Sequence, residues 1–193
     1  MNEDALLSLY LRPTEAGRLA TLARQRAFGE AIAIRPAPRH EPPEAAAIVR
    51  DDAVVSCDAW PDPASVRAGD RVIVQIDANE DARRRFVRWL ALAAKSLPAE
   101  TSIAPFSREA GGLHRLFCLA ATRLRLPDHV RVEVRHDLVG IRLAQIALGF
   151  GADTLGGPLQ SERKLPLAGV PRPNEATRTG LAHLVTQTGL TPL

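Results

Sequence analysis

The chain has 193 residues, of which 46% are hydrophobic and only 4% aromatic, and its formal net charge is +3. This length predicts one domain with a sizeable core, which Leu, Ile, Val and Ala must fill. No apolar run approaches the ~18 residues of a membrane span, and the first ten residues carry acids where a signal peptide carries bases. We therefore expect a cytoplasmic protein that makes no membrane contact.

Neither the basic residues nor the cysteines indicate a specialised site. The basic residues are nearly all arginines and are spread along the chain, so we do not expect nucleic acid to be a partner. Cys57 and Cys118 lie far apart and outside any C-x-x-C pattern. We expect two free thiols and no metal site.

The first half of the chain contains short strands and a proline-rich loop. Residues 14–29 predict a helix, with Thr14 as its N-cap and Gly29 at its end. Four prolines between residues 36 and 44 exclude regular structure there. Apolar, β-branched segments predict strands at 31–35, 53–57 and 71–76.

Strands and helices alternate through the second half. The helix predicted over 77–97 is the clearest, because Phe86, Trp89 and Leu90 share one face and arginines crowd the other. The remaining predicted strands are 101–106, 130–134 and 153–157. The remaining predicted helices are 112–126, 138–150 and 173–189.

This element order predicts an α/β fold built from parallel β/α units, with about six strands. A complete (β/α)₈ barrel usually needs about 250 residues, so we expect a shortened or incomplete TIM-type barrel, or an open sheet. We treat 1–193 as a single domain, with a divergent N-terminal part over 1–76 and regular β/α units over 77–193.

Several polar residues follow the predicted strands, where parallel α/β folds place their sites. His136 and Asp137 are candidates for an acid–base pair, although Asp137 also stands where the next helix needs an N-cap, which is the interpretation we favour. Asp77 follows the strand at 71–76, and the same two interpretations apply to it.

Four more residues are candidates for ligand binding: Arg35, Asp153, Gly156 and Gly157. Arg35 could hold an anion together with His40, or lie in a surface loop. Asp153 is either a ligand group or a turn aspartate. The adjacent glycines indicate close approach of the backbone to another group, but they lack the further Gly and the Lys or Ser of a phosphate-binding loop.

The segment from about residue 80 onward resembles a radical SAM family that includes aminofutalosine synthase, the futalosine cyclase of menaquinone synthesis and the deazaflavin-forming synthases. The stretch LAQIALGFGADTLGG (143–157) is the closest match, and TSIAPF (101–106) occupies the place of a family strand that ends in Pro and Phe. The resemblance implies that 77–193 is the C-terminal part of a radical SAM-like barrel.

The chain departs from that family where the family's chemistry resides. A C-x-x-x-C-x-x-C loop should follow the first strand and hold a 4Fe–4S cluster, but RPAPRHEPPE (35–44) contains no cysteine. The family's later acidic pair is reduced to Glu162, and an expected threonine is Pro158. The resemblance therefore implies fold and descent without radical chemistry, and we expect no cofactor.

Two functions follow as expectations. The first is a non-catalytic accessory protein of futalosine-type menaquinone synthesis, which binds a pathway enzyme or holds a small-molecule intermediate. The open edges of a shortened barrel also favour self-association. The second is a small cofactor-independent enzyme of the same pathway that uses the acid–base residues at the strand ends.

Overall fold

The structure is a computed structural model that describes residues 1–161 and 176–193. Glu162 and the start of the helix predicted over 173–189 lie outside the described residues. The helices are α1 (Glu3–Ser8), α2 (Pro13–Phe28), α3 (Glu80–Ser96), α4 (Gly112–Arg125), α5 (His136–Val139), α6 (Ile141–Ala147) and α7 (Arg178–Gln187). The strands are β1 (Ala31–Pro36), β2 (Ala46–Arg50), β3 (Ala53–Cys57), β4 (Arg71–Gln75), β5 (Ser102–Phe106), β6 (Arg131–Arg135), β7 (Thr154–Gly157) and β8 (Thr191–Pro192).

All of these strands belong to one sheet, in the order β3-β2-β4-β5-β6-β7-β1-β8. From β4 to β8 along this order, each strand is parallel to the next, which confirms the α/β class and the parallel β/α units. Strand β2 is antiparallel to both β3 and β4. The described part of the chain thus contains eight strands, not about six.

The two strands that the sequence did not predict are β2 and β8. Strand β2 forms a hairpin with β3 through Asp51 and Asp52, whose φ angles of 47° and 62° suit a tight two-residue turn. Strand β8 has only two residues, which is too short to leave an alternation pattern. The helix predicted over 138–150 is divided at Gly140, where φ is 86°.

The sheet is open at β3 and β8 within the described residues, yet it is strongly curved. Arg71 on β4 donates hydrogen bonds to the backbone carbonyls of Arg35, at 3.3 Å, and Pro36, both on β1. In a flat sheet these strands would be four spacings apart, or roughly 19 Å, which no side chain spans. The sheet therefore curls until the carboxyl end of β1 returns toward β4.

Helices cover the outer surface of this curved sheet. One apolar cluster joins β4 to α3 and α4 through Val72, Val74, Phe86, Leu90 and Phe117. A second cluster joins β1, β6 and β7 to α6 and α7. Within the two described segments, no helix has the length and hydropathy that crossing a bilayer requires.

A buried ion pair spans the concave side of the sheet. Arg71 Nε donates to Glu133 Oε2 at 2.9 Å, Arg71 Nη2 donates to Glu133 Oε1, and Ser102 Oγ donates to Glu133 Oε2 at 2.9 Å. Glu133 is fully buried on β6. Because Arg71 also binds the β1 carbonyls, this pair connects β4, β5, β6 and β1.

We expect Arg71→Met to lower the free energy of unfolding by about 3–5 kcal/mol, because it leaves the Glu133 carboxylate buried without its cation. The double variant Arg71→Met/Glu133→Leu should recover part of that loss, since no charge remains buried. Urea denaturation measures both, with the exposed Arg26→Met as the control, expected within about 0.5 kcal/mol of wild type. A loss below about 1 kcal/mol in the single variant would contradict this role for the pair.

Candidate functional site

Five of the predicted site residues meet at the carboxyl ends of β1, β6 and β7. Arg35 on β1 pairs in register with Gly156 on β7, and Gly156 pairs with Arg135 on β6. His136 and Asp137 begin α5 immediately after β6, and Gly157 ends β7. This cluster is the edge at which the sequence predicted chemistry.

The two adjacent glycines make room for two side chains. A Cβ on Gly156 would lie 1.9 Å from Glu133 Oε1, and a Cβ on Gly157 would lie 2.4 Å from His136 Nε2. Gly157 also has φ at +140°, a conformation that side-chain-bearing residues rarely adopt. The close approach that the double glycine indicates is therefore explained by internal packing.

His136 packs over Gly157 and is 6% exposed. Burial lowers the pKa of its imidazole, and the charge of Asp137 offsets that shift only in part. Its Nε2 atom is buried and has no hydrogen-bond partner among the described residues. The side chain is thus a neutral imidazole at pH 7 with one ring nitrogen unused.

Asp137 is held by its neighbour Arg135 and does not act as a helix cap. Arg135 Nε donates to Asp137 Oδ1 at 2.9 Å, and Arg135 Nη2 donates to Asp137 Oδ2 at 2.7 Å. The short helix α5 begins at His136, with Arg135 at the N-cap position and no side-chain cap. Two parallel hydrogen bonds from a guanidinium fix the orientation of this carboxylate, so Arg135 is a structural partner of Asp137.

Asp153 lies at the opposite end of β7 from the two glycines. Its carboxylate accepts the Val132 backbone N–H at 2.8 Å and contacts Arg131 at 3.1 Å and Arg123 at 3.4 Å. The residue is fully buried. It connects α4, β6 and β7. Its partners are therefore those of a structural aspartate and not those of a ligand group.

Asp77 is exposed beyond the end of β4, and Asn79 caps α3 in its place by accepting the Ala82 N–H at 2.8 Å. The Asp77 carboxylate accepts a hydrogen bond from Gln75 Nε2 at 3.0 Å. It lines a groove of about 780 Å³ between the end of β4, α3 and the loop after β3. We call this the tryptophan groove; its main lining residues are Glu44, Asp58, Trp60, Asp77, Arg85 and Trp89.

Arg35 lines a smaller cavity of about 330 Å³ at the gap between β1 and β2, together with Asp51, Asp52 and Arg71. Its side chain is half-buried. His40, the other candidate for anion binding, contacts the carbonyl of its neighbour Glu41 at 2.7 Å.

Sequence reasoning missed Glu133 and Arg71, whose ion pair shapes this edge. The segment VRVEV did carry a signal, since a carboxylate between buried valines requires a buried partner. That partner, Arg71, is 62 residues away in the chain and two strands away in the sheet, so no local pattern identifies it. The tryptophan groove was also missed, because Trp60 lies in a loop whose position no periodicity predicts.

The thiols do not fit the 4Fe–4S cluster of the radical SAM family. Cys118 is buried in α4, where burial raises its pKa to about 12, and its Sγ lies 3.6 Å from His114 Nε2. Cys57 ends β3. Two thiols on separate elements do not supply three ligands, and residues 1–161 and 176–193 hold no group of His, Cys, Asp and Glu that could bind a metal ion.

Comparisons with known proteins do not assign the chain to a family. No protein-family model matches it, and no curated protein matches it.

We expect Gly156→Ala and Gly157→Ala each to lower the free energy of unfolding by about 1–3 kcal/mol or more, because each added methyl overlaps a buried side chain. Gly149→Ala is the matched control, since a Cβ there would meet no atom within 4 Å. Thermal and urea denaturation measure all three variants. Equal stability of the Gly156→Ala and Gly149→Ala proteins would show that the glycines serve another purpose.

The buried histidines predict a pH dependence of stability. Burial lowers the pKa of both His136 and His114 in the folded protein, so the unfolded chain takes up protons first as pH falls. The free energy of unfolding should therefore be highest above the unfolded-state pKa of about 6.5 and fall below it. Urea denaturation between pH 5 and 8 measures this slope, which His136→Gln should flatten; an unchanged slope in that variant would contradict the assignment.

Proposed function

We propose that this protein is a non-catalytic relative of the radical SAM enzymes of futalosine-type menaquinone synthesis. In this proposal it acts as an accessory protein that binds a pathway enzyme or holds an intermediate, and its sheet is a shortened TIM-type barrel. The observation that carries the proposal is that the candidate groups at the strand ends already have internal partners. Asp137 is bound by Arg135. The space beside Gly156 is filled by the Glu133 side chain, and the space beside Gly157 by the His136 side chain.

Two features of the fold support the barrel relationship. The first strand, β1, lies beside β7, as the first and last strands of a closed barrel do, and the sheet curls inward between β4 and β1. The stretch LAQIALGFGADTLGG, which carries the family resemblance, forms α6, the following turn and β7.

An open sheet edge supports the partner role. Strand β3 lies at one end of the sheet, its sequence AVVSC carries no charge, and Val55 is 54% exposed. Uncharged edge strands pair readily with another strand. In this proposal a partner enzyme, or a second copy of the chain, covers β3.

The second candidate, a small cofactor-independent enzyme, rests on His136. Its neutral Nε2 atom has no described hydrogen-bond partner, so it is the best-placed base at the strand ends. Its confinement against Gly157 weighs against this role, because a substrate proton would have to reach a buried atom.

Capture from extracts of the native host tests the accessory role. The immobilised protein should retain a radical SAM enzyme of the futalosine pathway, and Val55→Lys should reduce that retention by placing a charge on β3. Leu11→Lys is the matched control, because Leu11 is 82% exposed and lies in the segment after α1, away from β3.

Two results would contradict the proposal. One is an isolated monomer that retains no futalosine enzyme. The other is a stable 4Fe–4S absorption after anaerobic reconstitution with iron and sulfide, which we expect to be absent. A pathway activity that disappears in His136→Gln would instead favour the enzyme interpretation.

A further inference from the structure

The tryptophan groove offers aromatic surface with its indole N–H groups already used. Trp60 Nε1 donates to the Gln75 carbonyl at 2.9 Å, and Trp89 Nε1 donates to the Pro61 carbonyl at 2.9 Å. The two rings meet edge to face, with centroids 6.2 Å apart. Leu92, which is 58% exposed, adds an apolar wall. Trp60 is half-buried, whereas Trp89 is only 8% exposed and stacks on Phe86. A molecule in the groove would therefore meet mainly the Trp60 ring and the Leu92 methyl groups and would find no indole donor.

The charged groups around this aromatic surface are predominantly acidic. Glu44, Asp58 and Asp77 are exposed, and none of them forms an ion pair with another described residue. Of the two arginines that line the groove, Arg88 is neutralised by Glu3, at 3.1 Å. Arg85 remains as the single opposing charge, which leaves the unpaired groups with a net negative charge.

The arrangement of these carboxylates does not suit a bare metal ion. In the part of the chain that the structure describes, these carboxylates do not form a group that could hold a metal ion. The volume of about 780 Å³ lies in the range of small-molecule sites. Positive charge beside tryptophan rings is also stabilised by the cation–π interaction, for which tryptophan is the best ring.

We propose that the tryptophan groove binds a small organic cation with a flat apolar body, of the aryl-ammonium class. The apolar body lies against Trp60 and Leu92, beside the largely buried Trp89, and the cation faces Asp58, Asp77 and Glu44. This site lies beyond β4 and is separate from the cluster of Arg35, His136 and the two glycines. It does not depend on the pathway proposed above.

Intrinsic fluorescence tests the proposal directly, because both tryptophans of the chain line the groove. We expect saturable quenching or a spectral shift with benzyltrimethylammonium. Benzyl alcohol and benzoate, which share the ring but are neutral and anionic, should bind at least about tenfold more weakly. Raising the ionic strength should weaken binding of the cation, since the carboxylates are exposed.

Three variants assign the effect to the groove. Asp77→Asn, which can still accept the Gln75 hydrogen bond, should weaken binding of benzyltrimethylammonium by up to about fivefold, and Arg85→Gln should strengthen it by a similar factor. The control Glu109→Gln removes an exposed carboxylate outside the groove and should leave affinity unchanged. The opposite effects at Asp77 and Arg85 would not arise from a general loss of structure.

The proposal is overturned if benzyltrimethylammonium gives no saturable change, or if benzoate or benzyl alcohol binds as tightly. It is also overturned if Asp77→Asn and Glu109→Gln weaken binding equally, because the attraction would then come from the overall charge. None of these results bears on capture of a futalosine enzyme through β3, so the two proposals fail independently.

Discussion

The buried pair of Arg71 and Glu133 is the interaction on which the shape of this protein depends. Arg71 binds the carboxylate on β6 and the backbone carbonyls at the end of β1, and so closes the concave side of a sheet that is open within the described residues. An isolated charge at either position would be strongly destabilising in this buried environment. The two residues therefore require each other, although 62 residues separate them in the chain.

The properties of the strand ends follow from that pair. The carboxylate of Glu133 occupies the space above β7 where a side chain at 156 would lie, so that position is glycine. The next glycine accommodates His136 in the same way. The groups that looked most suitable for chemistry are thus engaged in packing. A group of exposed carboxylates without ion-pair partners in the described part of the chain lies instead beyond β4, around two tryptophans.

Regular elements could be predicted from the sequence because they leave local patterns. Periodicity located β1, β3, β4, β5, β6 and β7 and the long helices. The alternation of strands with helices along the chain predicted the parallel β/α units. The hairpin strand β2 was hidden by the prolines before it, and β8 is too short for any pattern. The curvature depends on a contact between distant residues, which no local pattern contains.

Part of the candidate site could also be predicted, because it depends on strand positions that local patterns reveal. The strand-end rule brought Arg35, His136, Asp137 and the two glycines to one edge, since it depends only on strand direction. It could not show that Arg135 would bind Asp137, or that two arginines would contact Asp153 at the start of β7. Those facts depend on rotamers and on the partners that the tertiary fold supplies.

One measurement tests the central claim, that Gly156 is required because the Arg71–Glu133 pair fills the space above it. The Gly156→Ala substitution is compared in wild type and in the Arg71→Met/Glu133→Ala background, with the free energy of unfolding measured in urea. The account predicts that the loss of about 1–3 kcal/mol or more in wild type falls below about 0.5 kcal/mol in that background, where the overlapping atoms are gone. An equal loss in both backgrounds would contradict it.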